Sequence, residues 1–272
     1  MSRGSFPYTS LLLGQRISLN FTTIPTNPTT FLLTIAFPAK WKEAEVIPIL
    51  KDGNHEEAVY NRPLSLLAVA STVCKIILNQ FNACLIDSKH LTSHQSGNKK
   101  AHSTETSNIQ LTDSVLEARD KKQITALALL DLSKAFDSID HARFLHKLSI
   151  VGASLSTVNW FKSYLSSRYQ YVRIESTHSN TLLITHGVPQ GAILSPLIFC
   201  IYLNGLPLAP SSCNLESYAD DLKLFLYFPL IELGAVIEKL EQDLSVAQWC
   251  CENHLPINPD KTNSSFSEPD RR

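Results

Sequence analysis

The chain has 272 residues, 44% of them hydrophobic, enough for one large domain or two small ones with a real core. Its net charge of −1 argues against a protein that coats a polyanion through bulk charge, although acidic metal ligands and basic phosphate contacts can cancel in that sum. No apolar run reaches the length of a membrane span.

The six cysteines form neither a C-x-x-C pair nor a zinc-finger arrangement with histidine, which leaves reduced, buried thiols in an intracellular protein as the simple reading. The first 42 residues contain no Asp or Glu and are rich in Ser, Thr and Pro. With only two arginines there, and with Pro25 and Pro28 breaking any amphipathic helix, they make a poor transit peptide. Residues 1–35 read as a variable, poorly ordered head, 36–266 as the folded domain and 267–272 as a polar tail.

Trp41 to Leu50 alternates apolar positions and ends at Asp52-Gly53, the pattern of a strand and turn. After Pro63, Leu67, Val73, Ile76, Ile77, Phe81 and Leu85 recur at helical spacing. Ser103 or Thr104 can cap a helix with Ile109, Val115 and Leu116 on one side. "ITALALLDL", Ile124 to Leu132, is a nearly continuous apolar run, expected to be a central strand buried on both faces. Helices are expected at "HARFLHKLSIVG", stopped by Gly152, and at "LSTVNWFKSYL". Two strands follow in "YQYVRIES" and "TLLITHGV", then a buried helix after Gly191, and an amphipathic helix from Leu230. The mixture is α+β.

The unusual stretch is "SYADDLKLF". Asp220 and Asp221 are expected at the bend between two apolar strands, where an ordinary solvated turn would take Gly or Asn. Adjacent carboxylates repel, and a divalent cation resolves the repulsion. Asp131, near the end of "ITALALLDL", is the natural third carboxylate. Three carboxylates from two strand ends can hold two metal ions, the arrangement suited to in-line phosphoryl transfer.

"LLDLSKAFDSIDH", "GVPQGAILSPLIFCIYLNGLP" and "YADDLKLF", in that order, resemble the motifs of LINE-type (non-LTR) retrotransposon reverse transcriptases. "WKEAEVIPILKDG", "RPLSLL", "HQSGNKKAHSTET" and "INPDKT" are similar to further segments of that family, so the resemblance covers about residues 36–263. It implies a right-hand polymerase fold: a palm with a small antiparallel sheet backed by helices, and an interleaved fingers-like subdomain. It implies an RNA-directed DNA polymerase that adds dNTPs to a primer 3′-hydroxyl with two Mg²⁺ ions, or Mn²⁺ in their place. The partners implied are an RNA template and a DNA primer, with no membrane.

By the same resemblance Asp131, Asp220 and Asp221 are the catalytic, metal-binding residues, and Phe136 is the steric gate against a ribose 2′-hydroxyl. Gln190 and Gly191 face nucleotide and template, Lys51 and Arg62 the triphosphate, and Lys261 the leaving pyrophosphate. Lys99, Lys100 and His102 are placed against template phosphates. Asp137 and Asp140 read instead as helix-start caps.

The chain departs from the family pattern at several points. Tyr60 and Asn61 stand in exchanged order, and Asn98, Lys99 and Ala101 replace an aromatic-Arg pair and a second glycine. The resemblance includes no endonuclease and no thumb, so the chain is expected to be a truncated domain. A second reading therefore stands beside the enzyme: a non-catalytic retroelement relic that acts at most as an RNA- or protein-binding domain. An RNA-dependent RNA polymerase would share the palm chemistry; Phe136 and "GVPQG" favour the DNA-making enzyme.

Overall fold

A computed structural model of the chain describes residues 36–267, apart from 52, 68–70, 88–90, 98–102, 233, 235, 237–238, 240–242 and 244. The head at 1–35, Lys99, Lys100, His102 and the end of the tail lie outside the described residues. The chain divides into two compact units, Met1–His90 with Asp140–Ile201, and Leu91–Ile139 with Tyr202–Arg272.

The first unit carries a mixed sheet. β1 (Glu43–Leu50) and β2 (Asn61–Leu67) form an antiparallel hairpin, and β1 also pairs in parallel with β4 (Arg168–Ile174). The two-residue β5 (Thr177–His178) and β6 (Leu182–Ile184) both fold back on β4. Leu67 ends a strand rather than starting a helix; α1 begins four residues later (Ser71–Asp87). Pro63 is tolerated because β2 is the edge strand, where a missing N–H breaks no ladder, and it sits opposite Pro48.

The exchanged Tyr60-Asn61 is accommodated in the same hairpin. Asn61 Nδ2 donates to the carbonyls of His55 and Glu57, both at 2.8 Å, and stitches the loop. The core is aromatic. α3 (His141–Ile150) brings Phe144, and α4 (Leu155–Leu165) brings Trp160, Phe161 and Tyr164. Trp160 and Tyr164 stack at 5.6 Å, while Phe81 and Phe144 meet Phe161 edge-on at 5.3 and 5.5 Å. Asp140 caps α3 by accepting from Arg143 N at 2.7 Å, as expected; Asp137 lies in the preceding turn and caps no helix.

The second unit is built on an antiparallel sheet in the order β7-β8-β3-β9: β7 (Asn214–Tyr218), β8 (Asp221–Pro229), β3 (Gln123–Leu132) and β9 (Ile257–Ser267). α2 (Thr104–Asp120) starts in a capping box between Ser103 and Thr106 and packs on β3. Its described apolar side chains are not where spacing put them: Ile109 and Leu116 are exposed, and Ser107 and Ala118 are buried. β3 is central but not buried throughout. Ile124, Thr125 and Ala126 are buried, whereas Leu129 is 42% exposed. On β8, Lys223, opposite Leu129, donates from Nζ to Ser107 Oγ and Asn108 Oδ1 of α2.

α5 (Ser195–Leu203) is apolar on every side, and Leu197 to Leu203 are all buried. α6 (Ser245–Glu252) buries Val246 and Cys250. Among the described residues no helix is long and apolar enough to cross a membrane. Cys74, Cys200 and Cys250 are buried and form no disulfide, as composition suggested, whereas Cys213 is half-buried and Cys251 exposed.

Candidate active site

β7 and β8 are joined by two residues, Ala219 and Asp220. Ala219 takes φ +53°, a conformation that costs a non-glycine residue about 1 kcal/mol. Asp221 is therefore not at the bend, as expected from sequence, but is the first residue of β8. It pairs with Tyr218 on one side and with Asp131 on the other. Directly opposed residues of an antiparallel pair point to the same face, with Cβ atoms about 5 Å apart. The sheet thus sets Asp131 and Asp221 side by side, with Asp220 one residue away in the turn.

The electrostatics follow from this register. Burial pushes the Asp221 carboxyl above its ordinary value, and the charges of Asp220 and Asp131 push it further; Lys223 and Lys261 offset part of the rise. Asp131 is 24% exposed and meets two partners, Asn258 Nδ2 at 3.3 Å and Lys261 Nζ at 3.6 Å. Both contacts fall on Oδ2. Lys261 reaches it from a bulge in β9, where the pairing jumps from Leu129↔Asn263 to Asp131↔Asn258. Among the described residues no three acidic, His or Cys side chains converge to metal-ligand spacing. The carboxylates are neighbours at one sheet end rather than a closed cage.

This donor set still fits a hard divalent cation. It consists of carboxylate oxygens, and their repulsion is what an ion of that kind relieves.

A segment that sequence analysis noted only as a motif holds the turn from below. Residues 94–96 run beside β7: Ser217 N donates to His94 O and Ser96 N to Ser217 O, both at 2.8 Å. Gln95 between them is 1% exposed. Gly97 then passes so close that a Cβ there would lie 2.4 Å from Ala219 N. No side chain fits between this segment and the turn that carries Asp220.

Phe136 follows β3 in the turn at 133–138, half-buried. That turn is anchored by Ser133 N donating to Pro256 O at 2.7 Å. Asp131, Phe136, Asp220, Asp221 and Lys261 all belong to the second unit, and Lys51, Arg62, Gln190 and Gly191 to the first.

In that first unit, Gln190 O accepts from Ser65 N at 2.8 Å, and Gly191 at φ +94° would put a Cβ 2.8 Å from Leu64 Cδ1. The "GVPQG" loop is thus laid directly on β2, the strand that carries the exposed Arg62. Its other end is held by His141, which sequence analysis did not single out: Nε2 meets Gly187 O at 2.7 Å. Lys51 is exposed at the hairpin end, its N–H donating to Tyr60 O at 2.8 Å.

An antiparallel sheet with paired acids at a strand junction in the second unit, and a glycine-bracketed loop laid on a strand of the first, are consistent with a polymerase palm and fingers-like fold. The chain belongs to the reverse transcriptase (RNA-dependent DNA polymerase) family, whose pattern matches residues 51–269.

It is 33% identical over 236 residues to the probable RNA-directed DNA polymerase from transposon BS of Drosophila melanogaster, and 29% identical over 243 residues to that of the mobile element jockey from the same fly. These alignments cover 83% and 85% of this chain, and the chain spans about a quarter, 26%, of each relative. The LINE-type resemblance drawn from the motifs is borne out by these relatives. Two solved structures of telomerase from Candida tropicalis share the fold. The truncated apo form has a TM-score of 0.55 at 12% identity, covering 85% of this chain and 51% of that one. The form with an RNA fragment has a TM-score of 0.59 at 11% identity, covering 86% and 42%.

Proposed function

We propose that the chain is an RNA-directed DNA polymerase domain of a LINE-type element, which joins dNTPs to a DNA primer on an RNA template. The observation that carries the reading is the register pairing of Asp131 with Asp221 beside Asp220. In this reading the second unit is the palm and the first the fingers, and the protein acts inside the cell.

Asp131, Asp220 and Asp221 would hold two Mg²⁺ ions, or Mn²⁺, which when bound activate the primer 3′-hydroxyl and neutralise charge on the departing pyrophosphate. The chain's own side chains do the rest. Lys261, already drawn to Asp131, adds a positive charge near the leaving group. Phe136 closes the space beside the sugar C2′. Gln190 hydrogen-bonds without adding charge, and Gly191 keeps the backbone bare against nucleotide and template. Arg62 grips phosphate oxygens bidentately, with Lys51 as a point charge.

The test is primer extension by the full chain on an RNA template with Mg²⁺ and dNTPs. The unmodified chain should incorporate nucleotides, and Asp220→Asn should abolish incorporation. An inert unmodified chain would establish the non-catalytic relic instead. Substituting Phe136→Ala should admit ribonucleotides; unchanged sugar discrimination would remove the gate from Phe136.

A further inference from the structure

Asn258, the second residue of β9, stands directly opposite Asp131, on the side of β3 away from Asp221. Its Nδ2 donates to Asp131 Oδ2 at 3.3 Å. The other end of the same amide is engaged as well: Oδ1 accepts from Asp260 N at 3.2 Å. That second bond decides which way the amide faces. Reversed, it would set its own N–H groups against the Asp260 N–H and an oxygen against the carboxylate, two repulsive contacts in place of two bonds.

The β9 bulge fixes the backbone around this amide. Pairing with β3 jumps from Asn258 to Asn263, and within the bulge Thr262 Oγ1 donates to Asn258 O at 2.8 Å. The same bulge turns Asp260 N back onto the amide and brings Lys261 Nζ to 3.6 Å from Asp131 Oδ2. Two donors thus draw Oδ2 toward β9, and neither touches Oδ1.

A carboxylate held by one oxygen presents the other singly. Released, it can turn about its broad terminal torsion and approach an ion with both oxygens. The difference bears on which ion is accepted. Mg²⁺ demands near-ideal octahedral geometry and short bonds, whereas Ca²⁺ takes carboxylates by one oxygen or by two in a flexible shell.

We propose that Asn258 is a positioning residue of the acidic site: its amide commits Asp131 Oδ2, so that Asp131 offers Oδ1 alone and the site is tilted toward Mg²⁺ and away from Ca²⁺. The proposal rests on the reading of Asp131, Asp220 and Asp221 as a cation site, and it lies wholly within the second unit.

Thermal unfolding of the full chain, stripped with EDTA and then titrated with Mg²⁺ or Ca²⁺, tests it without reference to activity. In the unmodified chain Mg²⁺ should raise the Tm saturably. Asn258→Ala should shift the Mg²⁺ midpoint up by at least about tenfold, the scale of losing a group that orients a metal ligand, and the Ca²⁺ midpoint by less than about threefold. Asn258→Ser, which keeps an oxygen for Asp260 N but removes the amide donor, provides the second variant and should do the same. Thr262→Val loosens the bulge without removing that donor and should leave the ratio of the two midpoints unchanged. Equal weakening of both ions by the Asn258 variants would reduce Asn258 to a structural role and overturn the proposal. So would an unchanged Mg²⁺ midpoint, or a Thr262→Val chain that reproduces the change in ratio. An unmodified chain with no response to Mg²⁺ would overturn the cation-site reading itself and this proposal with it, so the two failures are distinct.

Discussion

Asp131 and Asp221 stand directly opposite each other on neighbouring antiparallel strands, two like charges in the position where a sheet normally places a favourable pair. The fold accepts this cost at one end of the palm sheet. Lys261 comes to Asp131 from a β-bulge and relieves part of it. A strained Ala219 then presents Asp220 beside the pair.

The first prediction concerns the segment under that turn. A methyl group added at Gly97 meets Ala219 backbone, which cannot rotate out of the way as a side chain would. Gly97→Ala should cost about 1–3 kcal/mol of stability. It should also lower kcat for primer extension with little change in the KM for dNTPs, since the acids move and the nucleotide contacts do not. Steady-state kinetics with a urea melt would check both; unchanged kcat would show that the turn shifts without consequence.

A second prediction follows from His141. Burial lowers its pKa and the nearby His186 and Arg168 lower it further, while the bond to Gly187 O and the charge of Asp140 pull the other way. The folded state therefore binds its proton less readily than the unfolded chain, whose imidazole titrates near ~6.5. The associated stability is complete above that value and declines as pH falls through it. Urea midpoints from about pH 7.5 down to about pH 5 should drop more steeply for the unmodified chain than for His141→Gln. Parallel curves would refute the assignment.

The third concerns Asp243, a buried carboxylate that ties down residues 211–213. Burial alone would raise its pKa, but it accepts from the Cys213 thiol, from Ser211 N and Oγ at 2.7 and 2.8 Å, and from Cys213 N at 2.6 Å. The net result is a value of about 2. A depressed carboxylate contributes stability above its unfolded value of ~3.9 and loses it as pH falls toward the folded one. Asp243→Asn should cost about 2 kcal/mol at neutral pH, read as a lower denaturant midpoint, and the difference from the unmodified chain should shrink toward about pH 2.

The sequence carried the acidic site further than it carried the rest. Apolar runs around "ITALALLDL" and "YADDLKLF" announce their strands, and the position of Asp131 near the end of the first run puts it at a strand end. Three things were hidden. β2 escapes the local pattern because Pro63 reads as a helix start, whereas an edge strand tolerates it. The displacement of Asp221 into β8 depends on Ala219 adopting a backbone conformation that its side chain does not advertise. Nothing in the local pattern marks Arg168, because its burial involves Phe37 and Tyr164, the former 131 residues away by numbering (168 − 37). Local pattern reads the acids at strand ends; it does not read long-range packing.

The measurement closest to the central claim is the thermal stability of Asp221→Asn with and without Mg²⁺. If Asp131, Asp220 and Asp221 form one cation site, the substitution relieves repulsion in the presence of a chelator and removes the response to the ion. The variant should then be more stable than the unmodified chain in EDTA, by ~0.5 kcal/mol, and should gain little when Mg²⁺ is added. A variant less stable in EDTA that still responds to Mg²⁺ as the unmodified chain does would contradict the account.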